Sequence, residues 1–446
     1  LGHAGTDVEG AYRAASAIRA DTARDPILGT AKLLVERGSD PALLVDDYLA
    51  CRERVRERAM ELLDEPTLSS RDEVLAPLSP RRPDAVREVA CSAADAERRV
   101  QAFGGQLPED GGSLTLAETI NRTLIEVLAA APQTLVFGED VAVKGGVYGV
   151  TRGLQKRFGA ARVFDTLLDE QSVLGLGLGT GLGGMVPIPE IQYLAYLHNA
   201  EDQLRGEAAS LAFFSNRQFL NPMVVRIAGY GYQRGFGGHF HNDNSVAVLR
   251  DIPGLVIASP AHPSDAGPML RTCVEHAAAT GAVCVFLEPI ARYHTTDLHE
   301  TDDLGWTTSP DADPVDPLGA RVHGDGADLT IVTWANGAYL SHRAARRLMA
   351  ESGIDARVVD LRWLSPLPLS DVLDAASATG RVLVVDETRR TGGVGEGIVA
   401  EVVGAGFNGR IGRVASHDSF VPLGDAAAHV LVGEDDIVAA ARALLD

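Results

Sequence analysis

The stretch Arg162-Val-Phe-Asp-Thr-Leu-Leu-Asp-Glu-Gln171 places a short apolar segment directly before two acidic residues, and a Gly-rich apolar run follows at residues 173–182. The first part favours a β-strand, and the Gly-rich run favours a helix packed closely under a sheet. Parallel sheets bind ligands beyond the carboxyl ends of their strands, so Glu170 is expected to face a crevice. A glutamate that begins a helix also has a simpler explanation, which is its favourable interaction with the helix dipole.

Strands and helices alternate on both sides of this stretch. Residues 114–131 predict a helix, because Thr115 and Glu118 have the spacing of a capping box. Further strands are predicted at residues 134–137, 223–227, 255–258 and 283–287, and the alternation resumes from residue 329. This order is typical of βαβ units, so we expect an α/β fold with parallel sheets.

Composition changes divide the chain into three parts. Residues 1–110 are rich in helix-forming residues and end in the Gly-rich linker 104–113. A first α/β domain is predicted over residues 114–300 and a second over residues 318–446. The segment between them is rich in Asp and Pro, which is typical of a boundary.

The overall charge excludes several classes of protein. The 446 residues include 40 basic and 61 acidic side chains, which gives 40 − 61 = −21, and a nucleic-acid binder needs a basic face. No apolar run approaches the roughly 20 residues of a membrane-spanning helix. Four scattered cysteines predict reduced thiols in a cytoplasmic protein. Because the chain begins Leu-Gly-His without Met, we expect a processed chain or part of a longer one.

Two glycine patterns invite a phosphate-binding interpretation that their context does not favour. Gly324-Asp-Gly326 lies before a predicted strand, where a tight turn accounts for it. The glycines of residues 175–184 recur mostly at every second position, unlike a dinucleotide fingerprint. We therefore predict a turn at the first site and close helix–sheet packing at the second.

The loop after residue 228 is the richest in candidate chemistry. It runs Gly229-Tyr-Gly-Tyr-Gln-Arg-Gly-Phe-Gly-Gly-His239-Phe-His241. Histidine in a cleft suits acid–base work, because its ordinary pKa lies near neutrality. A metal site lacks an obvious third ligand, and a surface loop with uninvolved histidines remains an alternative.

Several of these segments together resemble the β subunit of the thiamine diphosphate-dependent E1 component of 2-oxo acid dehydrogenases. The resemblance covers about residues 114–446 and rests on motifs that keep their order and spacing. They are Phe137-Gly-Glu139-Asp-Val141, Gly149-Val-Thr-Arg-Gly-Leu-Gln-Lys-Arg-Phe-Gly159, Arg162-Val-Phe-Asp-Thr166, Asp169-Glu170-Gln171, Pro187-Ile-Pro-Glu190, Gly237-Gly-His-Phe-His241, Asp360-Leu-Arg-Trp-Leu-Ser-Pro-Leu367 and Val384-Val-Asp-Glu-Thr-Arg-Arg-Thr-Gly-Gly393. It implies a transketolase-like pyrimidine-binding domain followed by a transketolase C-terminal-like domain.

The beginning of the chain resembles a different part of the same enzyme. Gly2-His3-Ala-Gly-Thr-Asp-Val-Glu-Gly-Ala-Tyr-Arg13 and Asp25-Pro26 are similar to the last third of the E1 α subunit. This implies a fusion of α and β, of which the chain would hold the end of α and all of β.

The resemblance implies a role for each matching residue. Glu170 would hydrogen-bond N1′ of the cofactor's aminopyrimidine, and the backbone carbonyl of Leu168 would accept from its 4′-amino group. Tyr196 would stack on the pyrimidine, although a core aromatic is its alternative, and Glu139 would lie at the pyrimidine end of the pocket. His241 would act in transfer to the lipoyl arm.

His3, the remaining match, would lie near the thiazolium ring and the substrate carboxylate. No segment supplies the Gly-Asp-Gly and Asn ligands of Mg²⁺ in the right context. Thiamine diphosphate and Mg²⁺ are thus expected to need a diphosphate-binding α region, upstream or on a separate chain. We expect the chain to be inert alone and to form a homo-oligomer through its β-like part.

The implied function is oxidative decarboxylation of a small 2-oxo acid with reductive acylation of a lipoyl E2 acyltransferase. The family often has Ser-Gln after the loop histidine, whereas this chain has Asn242-Asp243. That departure keeps a second enzyme open, a carboligase that forms acyloins. A non-catalytic E2-binding subunit is a third alternative, against which the presence of Glu170 and His241 argues.

Overall fold

The computed structural model describes residues 4, 6–78, 95–233, 237–310 and 315–446. By contacts the chain divides into two compact units, Leu1–Glu73 and Val74–Asp446. This division falls earlier than the linker at residues 104–113. Within the second unit, Arg99 pairs with both Glu109 and Glu126 and so ties the segment before that linker to the segment after it.

The first unit is helical, and two of its helices begin with Asp-Pro. The helical spacing of residues 11–64 predicts helix, and the structure divides this stretch into α1 (Ala15–Thr22), α2 (Pro26–Glu36) and α3 (Pro41–Glu61). Asp25 and Asp40 each accept a hydrogen bond from a backbone N–H of the first turn, at 2.8 Å. Proline fits directly after such a cap, because its missing N–H would have no helical partner there.

The second unit contains two α/β sheets, which confirms the predicted fold class. The strands of the described residues are β1 (Thr134–Gly138), β2 (Val163–Asp165), β3 (Val186–Ile191), β4 (Met223–Gly229), β5 (Val256–Ala258), β6 (Val283–Pro289), β7 (Arg321–His323), β8 (Leu329–Thr333), β9 (Ala356–Asp360), β10 (Trp363–Ser365), β11 (Arg381–Arg389) and β12 (Arg410–Ser416). The first sheet has the order β10-β5-β6-β4-β3-β1-β2, and the second has the order β12-β11-β8-β9-β7. Only β10 and β7, each at a sheet edge, run antiparallel to their neighbours.

Helices cover these sheets. After α4 (Arg71–Leu75), the described helices are α5 (Ala96–Phe103), α6 (Leu116–Ala130), α7 (Leu154–Phe158), α8 (Glu170–Leu182), α9 (Leu211–Phe214), α10 (Ala247–Arg250), α11 (Pro263–Thr280), α12 (Ala335–Ser352), α13 (Leu369–Thr379), α14 (Val394–Gly404) and α15 (Glu434–Leu445). The capping box predicted for α6 is present, since Thr115 and Glu118 exchange hydrogen bonds. No helix among the described residues has the length and apolar character needed to cross a bilayer.

Strand β3 was missed from the sequence because it contains Pro187 and Pro189. Prolines two positions apart lack their N–H toward the same neighbouring strand, because successive residues of a strand alternate in direction. β3 pairs with β1 along five residues, but with β4 only from Glu190 onward. Both prolines therefore lie in the part of β3 that does not pair with β4, where their missing N–H groups leave no hydrogen bond to β4 unmade.

The Gly-rich run forms α8, and its glycines serve close packing, as predicted. A Cβ on Gly181 would lie 2.7 Å from Asn221 Nδ2 and 3.0 Å from Pro222 O, and a Cβ on Gly177 would lie 2.7 Å from Met223 Sδ. These are contacts to the start of β4. The segment Gly324-Asp-Gly326 lies in the short connection from β7 to β8, with Gly324 at a φ of 73°.

Two glycine substitutions in α8 test this packing. Gly181→Ala should lower the melting temperature of the chain, because overpacking against a buried backbone costs about 1–3 kcal/mol. A Cβ added at Gly179, by contrast, would meet no atom within 4 Å. Gly179→Ala should therefore raise the melting temperature, because replacing glycine in a helix gains about 0.5–1 kcal/mol. Equal shifts in thermal unfolding for the two variants would contradict the packing role.

Candidate active site

Residues predicted to act in catalysis or to bind the cofactor follow four successive strands of the first sheet. Glu139 follows β1, Glu170 follows β2, Tyr196 follows β3 and His241 follows β4. These four strands lie side by side and parallel. Their carboxyl ends lie at the same edge of the sheet. Strand β2 lies on one side of β1, and the next strand along the chain, β3, lies on the other side. Ligands of open α/β sheets bind at such a switch point. His3 lies outside the described residues.

Glu170 is the first residue of α8 and is half-buried. Asp169 caps the helix by accepting a hydrogen bond from Ser172 N at 3.1 Å. Since Asp169 already supplies the cap, the Glu170 carboxylate is available to other partners, and Asn199 Nδ2 approaches Glu170 Oε2 at 3.4 Å. The side chain of Leu168 is 72% exposed, so this residue is not held by the core.

Three of these side chains are close enough to interact electrostatically. Burial raises the pKa of Glu139, and the negative charges of Asp140 and Glu170 raise it further. Burial also raises the pKa of Tyr196, with contributions from Glu139 and Glu170. Burial and neighbouring negative charge therefore both favour the protonated forms of Glu139 and Tyr196.

His241 is oriented by hydrogen bonds at both ring nitrogens. Nδ1 lies 3.2 Å from Gly237 O, and Nε2 lies 3.3 Å from Tyr196 Oη. A carbonyl only accepts, so Nδ1 carries the proton, and in the neutral ring Nε2 accepts from the tyrosine hydroxyl. Gly237 has a φ of 87°, and a Cβ there would lie 2.3 Å from the imidazole Nδ1. Only glycine allows this approach.

Aromatic rings surround this histidine. The ring of Tyr193 meets it edge-on, with centroids 4.5 Å apart, and the Tyr193 hydroxyl lies 3.1 Å from that of Tyr148. Tyr196 packs partly against the core while its hydroxyl faces His241, and its stacking on a pyrimidine stays a prediction. The sequence alone did not single out Tyr193 or Tyr148.

Comparison with known proteins identifies the family. Residues 112–292 match the family "Transketolase, pyrimidine binding domain", and residues 319–437 match "Transketolase, C-terminal domain". A 3-methyl-2-oxobutanoate dehydrogenase subunit beta of Mycobacterium tuberculosis is 36% identical over 292 residues, covering 65% of this chain and 79% of the relative. The pyruvate dehydrogenase E1 component subunit beta of Bacillus subtilis is 32% identical over 342 residues, covering 75% of this chain and 99% of the relative.

This chain belongs to the family of 2-oxo acid dehydrogenase E1 β subunits. A solved structure described as "Split gene transketolase, inactive beta4 tetramer" supports the transketolase-like fold. It has a TM-score of 0.57 at 21% identity and covers 74% of this chain and 98% of that one. Membership in the E1 β family implies thiamine diphosphate as the cofactor, in agreement with the resemblance found in the sequence.

A buried ion cluster stabilises the strand ends of this E1 β-type protein. Arg226 on β4 donates to Glu190 at 2.6 Å and to both carboxylate oxygens of Glu288 at 2.7 and 2.8 Å. The hydroxyl of Tyr293 donates to Glu288 at 2.6 Å. Burial raises the pKa of Glu190, and although Arg226 opposes this, Glu288 adds to it. A charged residue inside each of three apolar strands was a sequence signal that could have predicted the cluster.

The described residues contain no group of three His, Cys, Asp or Glu side chains arranged to hold a metal ion. His239, which the sequence offered as a possible partner of His241 in a metal site, instead places its ring against Phe240 and Phe420, with centroids 4.0 and 4.9 Å apart.

Removing the central arginine tests the structural role of the ion cluster. Arg226→Met should lower the free energy of unfolding by about 3–5 kcal/mol, because it leaves two buried carboxylates without their cation. Arg205 forms an exposed pair with Asp202, and its replacement by Met should cost under about 1 kcal/mol. Denaturant titration of both variants measures the difference. A loss for Arg226→Met no larger than that for Arg205→Met would show that the cluster does not stabilise the sheet.

Proposed function

We propose that this chain supplies the pyrimidine half of a thiamine diphosphate site. The complete enzyme would carry out the E1 reaction, in which a small 2-oxo acid is decarboxylated and the acyl group is transferred to the lipoyl group of an E2 acyltransferase. One observation carries the proposal: Glu139, Glu170, Tyr196 and His241 converge at the carboxyl edge of one parallel sheet.

The residues of the crevice fit an aminopyrimidine. Glu170 would hold and return a proton at ring atom N1′, a task that suits a half-buried carboxylate at a helix start. The carbonyl of Leu168 would accept from the 4′-amino group, and the ring of Tyr196 would stack on the pyrimidine, with Glu139 closing that end. When bound, thiamine diphosphate supplies the nucleophilic carbon and the electron sink for decarboxylation.

His241 would assist transfer to the lipoyl arm. Its Nε2 lone pair is held by the Tyr196 hydroxyl, and its Nδ1 proton by Gly237 O. A small movement of Tyr196 would free Nε2 to exchange a proton with a reacting group. His3 would act from the α-like segment, near the thiazolium and the substrate carboxylate.

The diphosphate and its Mg²⁺ would be bound by an E1 α-type region, upstream in the same chain or on a separate one. The helical unit supports such a partner. No residue of α1, α2 or α3 is buried, and Ile27, Leu43 and Tyr48 are 62%, 62% and 55% exposed. Such apolar surface is typical of an interface. We expect a homo-oligomer through the β-like part, and no turnover from the chain alone.

A carboligase is the second candidate. Where the family often has Ser-Gln, this chain has Asn242-Asp243, and Asp243 pairs with His198 and Arg389 next to the catalytic loop. A changed loop would affect the choice of acyl acceptor, so that a carbonyl compound could replace the lipoyl arm and give an acyloin.

Replacing the proposed activating carboxylate tests the assignment. In the enzyme assembled with its α-type partner, Glu170→Gln should leave cofactor binding largely intact, because the amide keeps the shape of the side chain. It should lower turnover more than about tenfold, because the proton at N1′ is no longer exchanged. Glu207→Gln, an exposed control, should leave both unchanged. Unchanged turnover in Glu170→Gln would refute the assignment.

A second variant separates transfer from decarboxylation. His241→Ala should depress lipoyl-coupled activity more than decarboxylation followed with an artificial electron acceptor, by about tenfold or more. His239→Ala removes a neighbouring imidazole and serves as the control. Equal losses in the two assays would argue against a transfer role, and acyloin formation without lipoyl reduction by the unmodified enzyme would favour the carboligase.

A further inference from the structure

Two hydrogen bonds join the short 3₁₀ segment Leu194–Asn199 to the loop that carries His241. Tyr196 Oη meets His241 Nε2, and His198 Nε2 meets Asp243 Oδ2, each at 3.3 Å. Both pairs are 45 residues apart in the sequence. The segment and the loop therefore run side by side in register. The His198–Asp243 pair joins the same two stretches of backbone as the Tyr196–His241 pair.

Asp243 is the centre of this connection. Its side chain is only 5% exposed and accepts from four donors. Besides His198 these are Ser245 Oγ at 2.6 Å, Arg389 Nη2 at 2.9 Å and Asn244 N at 2.9 Å. A buried carboxylate with this many donors is held firmly in its ionised form. Although burial works against ionisation, His198 and the other donors keep the pKa of Asp243 below its ordinary value.

Arg389 brings the second sheet into the network. It lies at the end of β11 and donates to Asp243, to Ser245 Oγ at 2.7 Å and to Ser419 O at 3.1 Å. A shift of β11 relative to the first sheet would therefore act on Asp243, two residues from His241.

His198 is the titratable member. Its hydrogen bond to Asp243 raises its pKa above 6.5, and although burial lowers it, the charges of Asp243 and Glu201 add to the rise. Three charged groups surround His198. Asp243 faces it from the loop, Glu201 Oε2 lies 3.8 Å from His198 Nδ1, and Arg389 pairs with Asp243.

We propose that Asp243 is a positioning residue that holds His241 in place, with His198 as its titratable partner and Arg389 as its link to the second sheet. The role of His241 rests on the proposed function. The network of Asp243, His198 and Arg389, which we call the charged clamp, is present in this chain independently of that function. Two further contacts that hold the loop come from neutral amides. Asn242 Oδ1 accepts from Gln233 N at 3.0 Å, and Asn244 Nδ2 donates to Glu387 O at 2.8 Å. Amides do not titrate, and His198→Gln keeps both imidazoles of the loop itself, so the difference in pH dependence between this variant and wild type isolates the charged clamp.

The sign of the pH effect follows from the raised pKa of His198. Stabilisation of the loop is fully present below about pH 6.5, the ordinary value for histidine, and is lost as the pH rises through the higher pKa of the folded chain. Amide hydrogen exchange of residues 237–246, corrected for intrinsic rates, should therefore show weaker protection at about pH 9 than at about pH 6, by a factor of three to ten.

Three variants of the full chain decide the question. His198→Gln lies at a side chain that is 41% exposed, so it should fold, and it should abolish this pH dependence. Asp243→Asn should lower loop protection about tenfold at pH 6. Asp202→Asn, 74% exposed in the same region, should behave as wild type. The proposal is overturned if pH dependence persists in His198→Gln, or if a folded Asp243→Asn keeps protection within about twofold of wild type.

This experiment is independent of catalysis. Exchange is measured without cofactor, substrate or partner, so failure of the clamp leaves the Glu170→Gln assay untouched. Conversely, an inert Glu170 would refute the proposed function without changing loop protection. In the assembled enzyme, His198→Gln should also shift the alkaline limb of the kcat profile while leaving cofactor affinity unchanged, which a general loss of folding would not do.

Discussion

Arg226 is the side chain on which the architecture of the site depends. Its guanidinium bridges Glu190 on β3 and Glu288 on β6, and so ties together the ends of three adjacent strands. Loops that leave those ends carry Tyr196 and His241. A planar guanidinium can pair with two carboxylates at once, and its fixed geometry sets strand ends more precisely than apolar contacts can. The cost of burying three charges is offset only because every one of them is paired.

The crevice itself has the opposite electrostatic character. There, the charge of Glu170 adds to the burial that raises the pKa of Glu139, and the charges of both glutamates add to the burial that raises the pKa of Tyr196. Glu190 and Glu288 are paired with Arg226, whereas Glu139 and Glu170 form no ion pair with an arginine of the described residues. That contrast separates a residue that builds the sheet from one that can exchange a proton with a ligand.

Much of the fold was accessible from the sequence through local patterns. The capping box at Thr115 and Glu118, the turn at Gly324-Asp-Gly326 and most strands of both sheets were predicted, because caps, turns and alternation depend on neighbours a few residues away. Strand β3 was missed because Pro187 and Pro189 argue against a strand, and only the late start of its pairing with β4 explains them. Tyr193, His198 and Asp243 carried no local signal, since their partners lie 45 residues away.

By itself, the sequence determined the α/β class, the order of the elements and the position of Glu170 between a strand and a helix. These properties follow from periodicity and from short-range hydrogen bonding. Only the tertiary structure decided that Tyr196 meets His241, that His198 meets Asp243, and that Arg226 bridges two glutamates from other strands. The physical reason is that such pairs depend on strand register and loop closure, which are set when the whole sheet packs and cannot be specified by either partner's own neighbours.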